Sequence, residues 1–549
     1  MKVAEYSARV GDRLADLIAA YGAADATASD LLCDRHDPGA TAYRVVTADG
    51  KAIVITYGRL RERSEKLASG LSKRGYGVGD RIATLMAKGE DYLVTLLAIW
   101  RLGAVYVPLF TAFAKPAIEM RLASSGTKLV VCDEAQRAKL QGLAGDVLPG
   151  LGVAIAGPTS ADGLTLAEIE AGGDRSFSAH VTSGQGAVIE VYTSGTTGKP
   201  KGVVVPLRAV AGFQAYGEFG LGLIAEDTFW NAADPGWAYG LYFGVMVSLS
   251  TGVPSIMHTE KFTPEGTLAV LKREGVTNFT AAPTVYRSLK AHGIPAEFVS
   301  LRCASSAGEP LTPDVNQWAP AGLGTLVHDH FGQTEAGMLL NNHHHPDLRQ
   351  PIKPGSMGRA LPGWHMTVID PATHEELGPN QAGLLAACLS RSPLAWFEGY
   401  ASSPEKNADR LTPCGRWYLT GDLALYDDEG YFRFSSRDDD VIIMAGYRIG
   451  PFDVESVIAA HPAVRDVAVV AVPDEIRGEV LEAVVVLNPG YSANDALSEE
   501  LQKKVRTEYA AHAYPRRVHY RDELPKTPSG KTQRFVLRKE LRDALRSPA

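Results

Sequence analysis

Cysteine is scarce in this sequence. Five residues in 549, Cys33, Cys132, Cys303, Cys388 and Cys414, are widely scattered and never approach a C-x-x-C spacing. A disulfide framework and a cysteine zinc site are therefore not expected, which suits a reducing compartment. Basic charge is also in short supply: 55 Lys and Arg stand against 63 Asp and Glu, a formal net charge of −8. Bulk electrostatics thus give no support to binding nucleic acid or an anionic membrane. No apolar run approaches the roughly 18 residues that cross a bilayer. The N-terminal stretch mixes Lys2, Arg9 and Arg13 with Glu5, Asp12 and Asp16 and has no apolar core ahead of a small-residue cleavage site. No signal peptide is expected, and a cytoplasmic location is the default. At 45% hydrophobic and 21% charged residues the composition is ordinary, which excludes wholesale disorder. A chain of this length holds more than one domain, and a small-molecule enzyme fits it best.

What is present is alternation of helix and strand signals. GRLRERSEKLASGLSKR (58 to 74) sets Leu60, Leu67 and Leu71 on one stripe with charges opposite, a surface helix. Residues 77 to 109 then read as strand, turn, buried helix and strand, the unit of a parallel sheet with helices packed on it. VTNFTAAP (276 to 283) and TLVHDHF (325 to 331) continue the theme. The class is α/β, with a large N-terminal domain of parallel-sheet layers plus a β-rich part. A hairpin is expected around Asp428-Glu429-Gly430. The short polar stretch after it, Ser435 to Asp440, can join two bodies, so we divide the chain at 1–435 and 436–549. The second part carries strand, Gly446 turn, a helix opened near Pro451 with Val454, Val457 and Ile458 inward, strands at 466 to 473 and 481 to 487, and a helix at 497 to 510. That is enough for a small α+β domain.

The sharpest local feature is VYTSGTTGKPKGVVVP, residues 191 to 206. Val188 to Tyr192 and Val203 to Val205 read as a strand and its return. The loop between them is almost wholly glycine, hydroxyl and lysine. Gly195 and Gly198 let backbone N–H groups approach an anion, Thr193, Ser194, Thr196 and Thr197 add donors, and Lys199 and Lys201 add charge, so the loop is suited to wrapping phosphate. A plain flexible hairpin is the competing reading. A Walker loop is excluded, because it needs four residues between its first glycine and Gly-Lys, and here there are two.

The decapeptide TSGTTGKPKG resembles the phosphate loop of the adenylate-forming superfamily of acyl-CoA synthetases, luciferases and peptide-synthetase adenylation domains. Further segments match in order: Ala307-Gly308-Glu309-Pro310, FGQTEAG (331 to 337), YLTGD (418 to 422), RDDDVIIMAGYRIGPFDVES (437 to 456) and PKTPSGK (525 to 531). The resemblance is closest to the medium-chain and acetyl-CoA synthetase branch. It implies an ATP- and Mg²⁺-dependent acid–thiol ligase in which a carboxylic acid becomes acyl-adenylate with release of pyrophosphate, and coenzyme A then takes the acyl group. It implies that Thr193 to Lys199 close over the β- and γ-phosphates, that Thr334 contacts the α-phosphate, and that Glu335 holds Mg²⁺. Asp422 would hydrogen-bond the ribose with Arg437 nearby. Gly308, Glu309 and Pro310, with Asp329, His330 and Phe331, would form the adenine slot, and Gly332 and Gln333 would also bind the nucleotide. Lys531 takes the adenylation position, bridging carboxylate and α-phosphate. Arg448 would face the phosphates before the small domain rotates about Asp439, presenting Ala445, Gly446 and Tyr447 to the pantetheine arm, with Arg477, Arg506 and Tyr514 meeting coenzyme A.

For the acyl group, DPGWAYGLYFG (234 to 244) resembles the acyl-pocket segment of this branch, with Trp237, Tyr239 and Gly240 as lining residues. A tryptophan merely filling core is the alternative. Acetate-specific relatives place a bulky pair before Gln-Thr-Glu, whereas this chain has Phe331-Gly332, so glycine is expected to leave room for a short- to medium-chain or small aromatic acid. Departures from the family pattern are Ser436 before the linker arginine, Ala445 before Gly446, and His328-Asp329-His330-Phe331 ahead of Gly332. His343-His344-His345 reads as a solvated loop, since three consecutive side chains diverge and no spaced partner is apparent. Loading a carrier-protein pantetheine and a non-catalytic nucleotide-binding role stay open as alternatives. The expected partners are the acid, ATP and coenzyme A, with no nucleic acid and no integral membrane segment. Assembly as a homo-oligomer is compatible with the sequence.

Overall fold

Two parallel sheets dominate the computed structural model, which describes residues 7–143, 148–157, 164–193, 201–294, 301–401, 403–437, 442–444, 447–474, 478–510, 513–527 and 532–546. The first sheet has seven strands. Leu164–Thr165, Gly152–Ile155, Leu129–Cys132, Arg81–Leu85, Val105–Pro108 and Ala187–Thr193 run parallel, and Lys201–Pro206 closes the edge antiparallel. The helix Glu90–Arg101 that connects two of its strands is buried from Tyr92 onward. A helix apolar on all sides belongs inside, and its one buried cation, Arg101, pairs with Asp34. The stripe helix is Tyr57–Ser72, with Leu60, Leu67 and Leu71 buried as the pattern requires.

The second sheet has nine strands. Its parallel centre runs Val327–Gln333, Cys303–Ala307, Asn278–Ala281, Phe229–Asn231, Ser255–His258 and Thr41–Val46, and antiparallel strands flank both edges. On one side Gly337–Asn341 folds back on Val327–Gln333 as a hairpin. Helices such as Pro313–Leu323 and Pro264–Arg273 open with proline in the first turn, where its missing N–H costs nothing.

A four-stranded antiparallel meander follows: Met366–Ile369, Gly383–Cys388, Trp417–Tyr426 and Phe432–Arg437. The expected hairpin is its last pair. The last strand carries Ser436 and Arg437, so the sheet runs past the boundary drawn from the sequence. The small domain has its own sheet, Tyr447–Ile449, Ile442–Met444, Gly478–Leu487 and Val464–Asp474, with Arg517–Tyr520 parallel to Gly478–Leu487. Helices Pro451–Ala459, Asp495–Glu508 and Arg534–Arg546 accompany it.

The buried apolar side chains divide the same way. Four clusters, the largest running from Val10 to Phe432, are built from residues of the large part, and a fifth is built only from residues between Ile442 and Leu541. Each part therefore has a core of its own, the mark of a domain. They touch at Phe434 and Phe452, whose rings lie 5.8 Å apart, and at Ser435, whose hydroxyl donates to Asp453 Oδ2 at 3.3 Å.

Candidate active site

Several candidate residues follow the ends of parallel strands, where open α/β sheets leave a crevice: Gly308 to Pro310 after Cys303–Ala307, Thr334 and Glu335 after Val327–Gln333, and Trp237 to Gly240 after Phe229–Asn231. Strand Cys303–Ala307 ends at Gly308, whose φ of +102° is left-handed and whose missing Cβ would meet nothing within 4 Å. Glu309 follows, its Oε1 accepting from Arg287 at 3.4 Å. On the neighbouring strand Val327–Gln333, alternation puts Asp329 and Phe331 on one face and His328 and His330 on the other. Phe331 is partly exposed against the main core. Asp329 is buried and accepts from the Leu311 N–H at 3.3 Å. Burial pushes its carboxyl up to about 8, with the Glu309 charge adding to the rise and backbone hydrogen bonds opposing it.

The back of that strand is lined with histidines. His330 Nε2 lies 3.1 Å from the Asn342 carbonyl and its Nδ1 2.8 Å from the Tyr216 hydroxyl. A carbonyl only accepts, so Nε2 carries the proton and Nδ1 accepts from Tyr216. His328 Nδ1 donates to the same carbonyl at 2.5 Å, and its ring stacks on His344 with centroids 3.5 Å apart. His344 Nε2 in turn lies 3.1 Å from Ser305 Oγ and 3.2 Å from the Ala304 carbonyl. The solvated loop expected at His343-His344-His345 is therefore corrected: His343 and His344 are only 6% and 7% exposed. The physical reason is that the His344 and His345 amides bond back to the Gly220 and Phe219 carbonyls, which seats the segment against the sheet. Burial drives His328 and His343 down to about 4 and His330 and His344 well below the usual imidazole range. The rings of His328, His330 and His344 are engaged in stacking and hydrogen bonds and His343 Nε2 lies 3.3 Å from the Ala360 carbonyl, and among the described residues no group of three His, Cys, Asp or Glu is arranged to hold a metal ion.

At the far end of the strand the chain turns through Thr334, Glu335 and Ala336 into Gly337, whose φ is +74°. A Cβ on Gly332 would lie 2.3 Å from the Gly337 carbonyl oxygen and 2.5 Å from Met338 Sδ. Glycine there permits the close return of the hairpin. The room it was expected to leave for the acyl group is filled by that return, so Gly332 does not by itself lengthen the pocket.

One backbone carbonyl and two side chains of this turn are engaged by residues far away in sequence. The Thr334 carbonyl accepts from Tyr242 OH at 3.2 Å. Gln333 Nε2 donates to Asp422 Oδ2 and to the Thr420 carbonyl, both at 2.7 Å, while its Oε1 accepts from Tyr418 OH at 2.7 Å. Glu335 is buried, and its Oε1 accepts from Tyr400 OH at 2.7 Å. Tyr216, Tyr400 and Arg410, which bonds to the Tyr400 hydroxyl, are supporting residues outside every motif read from the sequence, while Tyr242 and Tyr418 lie inside the acyl segment and YLTGD but were given no role there. The first three do not stand out locally, because a lone tyrosine or arginine looks like any core or surface residue.

Asp422 is buried on strand Trp417–Tyr426 and pairs in register with Arg437, of whose side chain nothing further is described. Thr193 pairs with Lys201 at the root of the loop. Ser194, Gly195, Thr196, Thr197, Gly198, Lys199, Asp439, Ala445, Gly446, Arg477 and Lys531 lie outside the described residues. Tyr447 and Arg448 belong to the strand Tyr447–Ile449. Arg506 and Tyr514 are brought together, the guanidinium carbon 3.7 Å from the ring centroid, and Arg516 approaches the same ring at 3.9 Å.

In the expected acyl segment, Trp237 packs against Phe110 and Phe113 with centroids 5.4 and 5.5 Å away. Tyr239 OH and Thr280 Oγ1 are 2.7 Å apart. At Gly240 a Cβ would sit 2.3 Å from the Asp234 carbonyl oxygen, so only glycine fits.

Comparison with known proteins gives the following. Residues 33–400 match the family described as AMP-binding enzyme, and residues 453–531 match the AMP-binding enzyme C-terminal domain. The chain is 34% identical to an acetyl-coenzyme A synthetase of Bacillus subtilis over 95% of its own length and 90% of the relative's. It is 34% identical to a human mitochondrial acyl-coenzyme A synthetase over 92% and 86%. Among solved structures, a Brucella canis acyl-CoA synthetase is similar at 42% identity with a TM-score of 0.75, covering 99% of this chain and 98% of that one. A benzoate CoA ligase from Burkholderia xenovorans is similar at 26% identity with a TM-score of 0.81, covering 93% and 99%.

Proposed function

This chain belongs to the AMP-binding enzyme family and is an AMP-forming acyl-CoA synthetase, and from that premise we propose how its residues divide the work. In the first half-reaction a substrate carboxylate oxygen attacks the α-phosphorus of ATP and pyrophosphate leaves. In the second the thiol of coenzyme A attacks the acyl carbon and AMP leaves. The first step drives an anion onto a polyanion, so the protein must hold donors and positive charge where negative charge builds.

Thr193, Ser194, Gly195, Thr196, Thr197, Gly198 and Lys199 close over the β- and γ-phosphates. Thr334 takes the α-phosphate, and Lys531 bridges it to the attacking carboxylate, with Arg448 facing the phosphates. Asp422 receives the ribose hydroxyls with Arg437 beside it. Gly308, Glu309, Pro310, Asp329 and Phe331 make the adenine slot. The ring of His330 is committed to Tyr216 and Asn342, so its share in the slot is through backbone alone. Gly332 and Gln333 shape and brace the same turn.

Mg²⁺ fits the chemistry of Glu335: one carboxylate oxygen is held by Tyr400, the other accepts no hydrogen bond among the described residues, and a hard oxygen donor is what this cation takes. Bound there with ATP, Mg²⁺ supplies charge neutralisation on the phosphates. After adenylation the small domain, 436–549, turns about Asp439, withdraws Lys531 and brings Ala445, Gly446 and Tyr447 to the pantetheine arm, while Arg477, Arg506 and Tyr514 meet the rest of coenzyme A. The acid is one with a short- to medium-chain or aromatic acyl body, a reading supported by Trp237, in the acyl segment with Tyr239 and Gly240, packing against Phe110 and Phe113. Cytoplasmic residence is part of the same reading. It is supported by five unpaired cysteines and by the absence, among the described residues, of any helix long and apolar enough to cross a membrane.

The observation that carries this assignment is the convergence of Gln333, Glu335 and Asp422 from two different sheets onto one turn. The test is a panel of carboxylic acids assayed for pyrophosphate release with ATP, followed by transfer to coenzyme A or to a pantetheine carrier. Acid-dependent pyrophosphate release with transfer to free coenzyme A is the expected result. Release with transfer to the carrier alone would overturn the acceptor.

A further inference from the structure

Tyr400 belongs to none of the motifs from which the active site was read, yet it is almost fully buried, 3% exposed, and touches two parts of it. Its hydroxyl donates to Glu335 Oε1 at 2.7 Å and accepts from Arg410 Nε at 3.2 Å. Arg410 is anchored in turn on the carbonyls of Leu419, at 3.2 Å, and Thr420. That Thr420 carbonyl also receives Gln333 Nε2. The hydroxyl proton therefore has one direction to go, toward the glutamate, because the arginine only donates.

The ring and backbone of Tyr400 face the other way. Lys201 Nζ lies 4.7 Å from the ring centroid and 3.4 Å from Asp409. The amide of Ala401 donates to the Gly202 carbonyl at 3.0 Å, and Tyr400 itself bridges to Val203. Lys201, Gly202 and Val203 open the strand by which the chain leaves the phosphate-loop segment. The Tyr400 amide is fixed by Asn407 Oδ1 at 2.9 Å, so the residue is pinned from both sides.

We propose that Tyr400 is a positioning residue that sets the orientation of the Glu335 carboxylate from the exit strand of the phosphate loop, holding Oε1 so that Oε2 is turned to the metal of the ATP complex. The inference rests on the reading of Glu335 as the Mg²⁺ ligand. Groups that orient a metal ligand from behind are worth roughly 10- to 100-fold in metal affinity. Tyr400→Phe deletes one oxygen atom and keeps the ring under Lys201.

The experiment titrates Mn²⁺, as a paramagnetic stand-in for Mg²⁺, into the full-length enzyme with a non-hydrolysable ATP analogue and reads bound metal by electron paramagnetic resonance. Wild type, Tyr400→Phe, Glu335→Gln and Lys201→Met are compared. Metal-free AMP binding and thiolysis of supplied acyl-adenylate serve as controls for an intact fold. The expected result is about a tenfold loss of Mn²⁺ affinity in Tyr400→Phe, unchanged AMP binding and thiolysis, and a smaller loss in Lys201→Met, which keeps the hydroxyl. Wild-type Mn²⁺ affinity in Tyr400→Phe beside its loss in Glu335→Gln overturns the role of Tyr400 while leaving Glu335 in place. Wild-type affinity in Glu335→Gln overturns the reading of Glu335 itself. If Tyr400→Phe fails the AMP control, Lys201→Met decides, and wild-type affinity there overturns the link to the exit strand.

Discussion

The side-chain amide of Gln333 donates to the carboxylate of Asp422 at 2.7 Å across 89 residues of sequence. One stands at the end of a strand in the nine-stranded sheet and the other inside the four-stranded meander. The bond fixes a carboxylate proposed for the ribose before any nucleotide arrives.

Gln333→Leu leaves the Tyr418 hydroxyl without its acceptor and Asp422 without this donor. Orphaned buried polar groups cost about 1–3 kcal/mol each. A lower urea midpoint and a raised KM for ATP, with kcat less affected, are expected. Wild-type KM would separate Asp422 from nucleotide binding.

Lys531→Ala removes the proposed bridge between carboxylate and α-phosphate. Loss of such a contact costs on the order of 100-fold or more in rate. Acid-dependent pyrophosphate release should collapse while supplied acyl-adenylate is still thiolysed. Equal loss of both half-reactions contradicts the assignment.

The buried histidines make the fold acid-sensitive. His328 and His343 titrate near 4 in the fold, against an ordinary value of about 6.5 in the unfolded chain. Between those limits the unfolded chain binds protons the fold refuses, so stability is full above about 6.5 and falls as pH drops toward 4. Asp329 acts with the opposite sign. Held near 8 against about 4 unfolded, it keeps a proton in the fold that the unfolded chain releases, and its contribution falls as pH rises toward 8. Two or more histidines against one aspartate leave the acid side steeper. Thermal melts from pH 5 to pH 8 should show it, with His328→Gln flattening the acid limb and Asp329→Asn the alkaline one.

Gly332→Ala tests what that glycine is for. A methyl group there meets the Gly337 carbonyl oxygen at 2.3 Å, backbone that cannot step aside alone. Overpacking of this kind costs about 1–3 kcal/mol. A lower melting temperature and slower adenylation across every acid are expected. A selective shift toward shorter acids would restore the pocket-size reading.

Periodicity made the sheets legible because each strand and helix announces its buried face within a dozen residues. Arg81–Leu85, Glu90–Arg101 and Val105–Pro108 fall inside the window read as strand, helix and strand. The candidate site could be read only where chemistry is concentrated in a contiguous motif, as at Thr334-Glu335, which the structure places on one turn. It was not legible at Tyr400, whose partner Glu335 is 65 residues away. The histidine run misled for the same reason: three adjacent side chains diverge when read along the chain, but His344 finds His328 across the sheet. Gly332 misled because a missing side chain signals space only when no neighbour has taken it.

The strand Phe432–Arg437 ends the large domain's meander and Ile442 begins the small domain's sheet, leaving four residues between them. Four residues drawn out fully reach about 14 Å at most. The lighter part is thus leashed: so short a tether bounds how far the two bodies can separate and holds one at an effective concentration on the order of millimolar for the other.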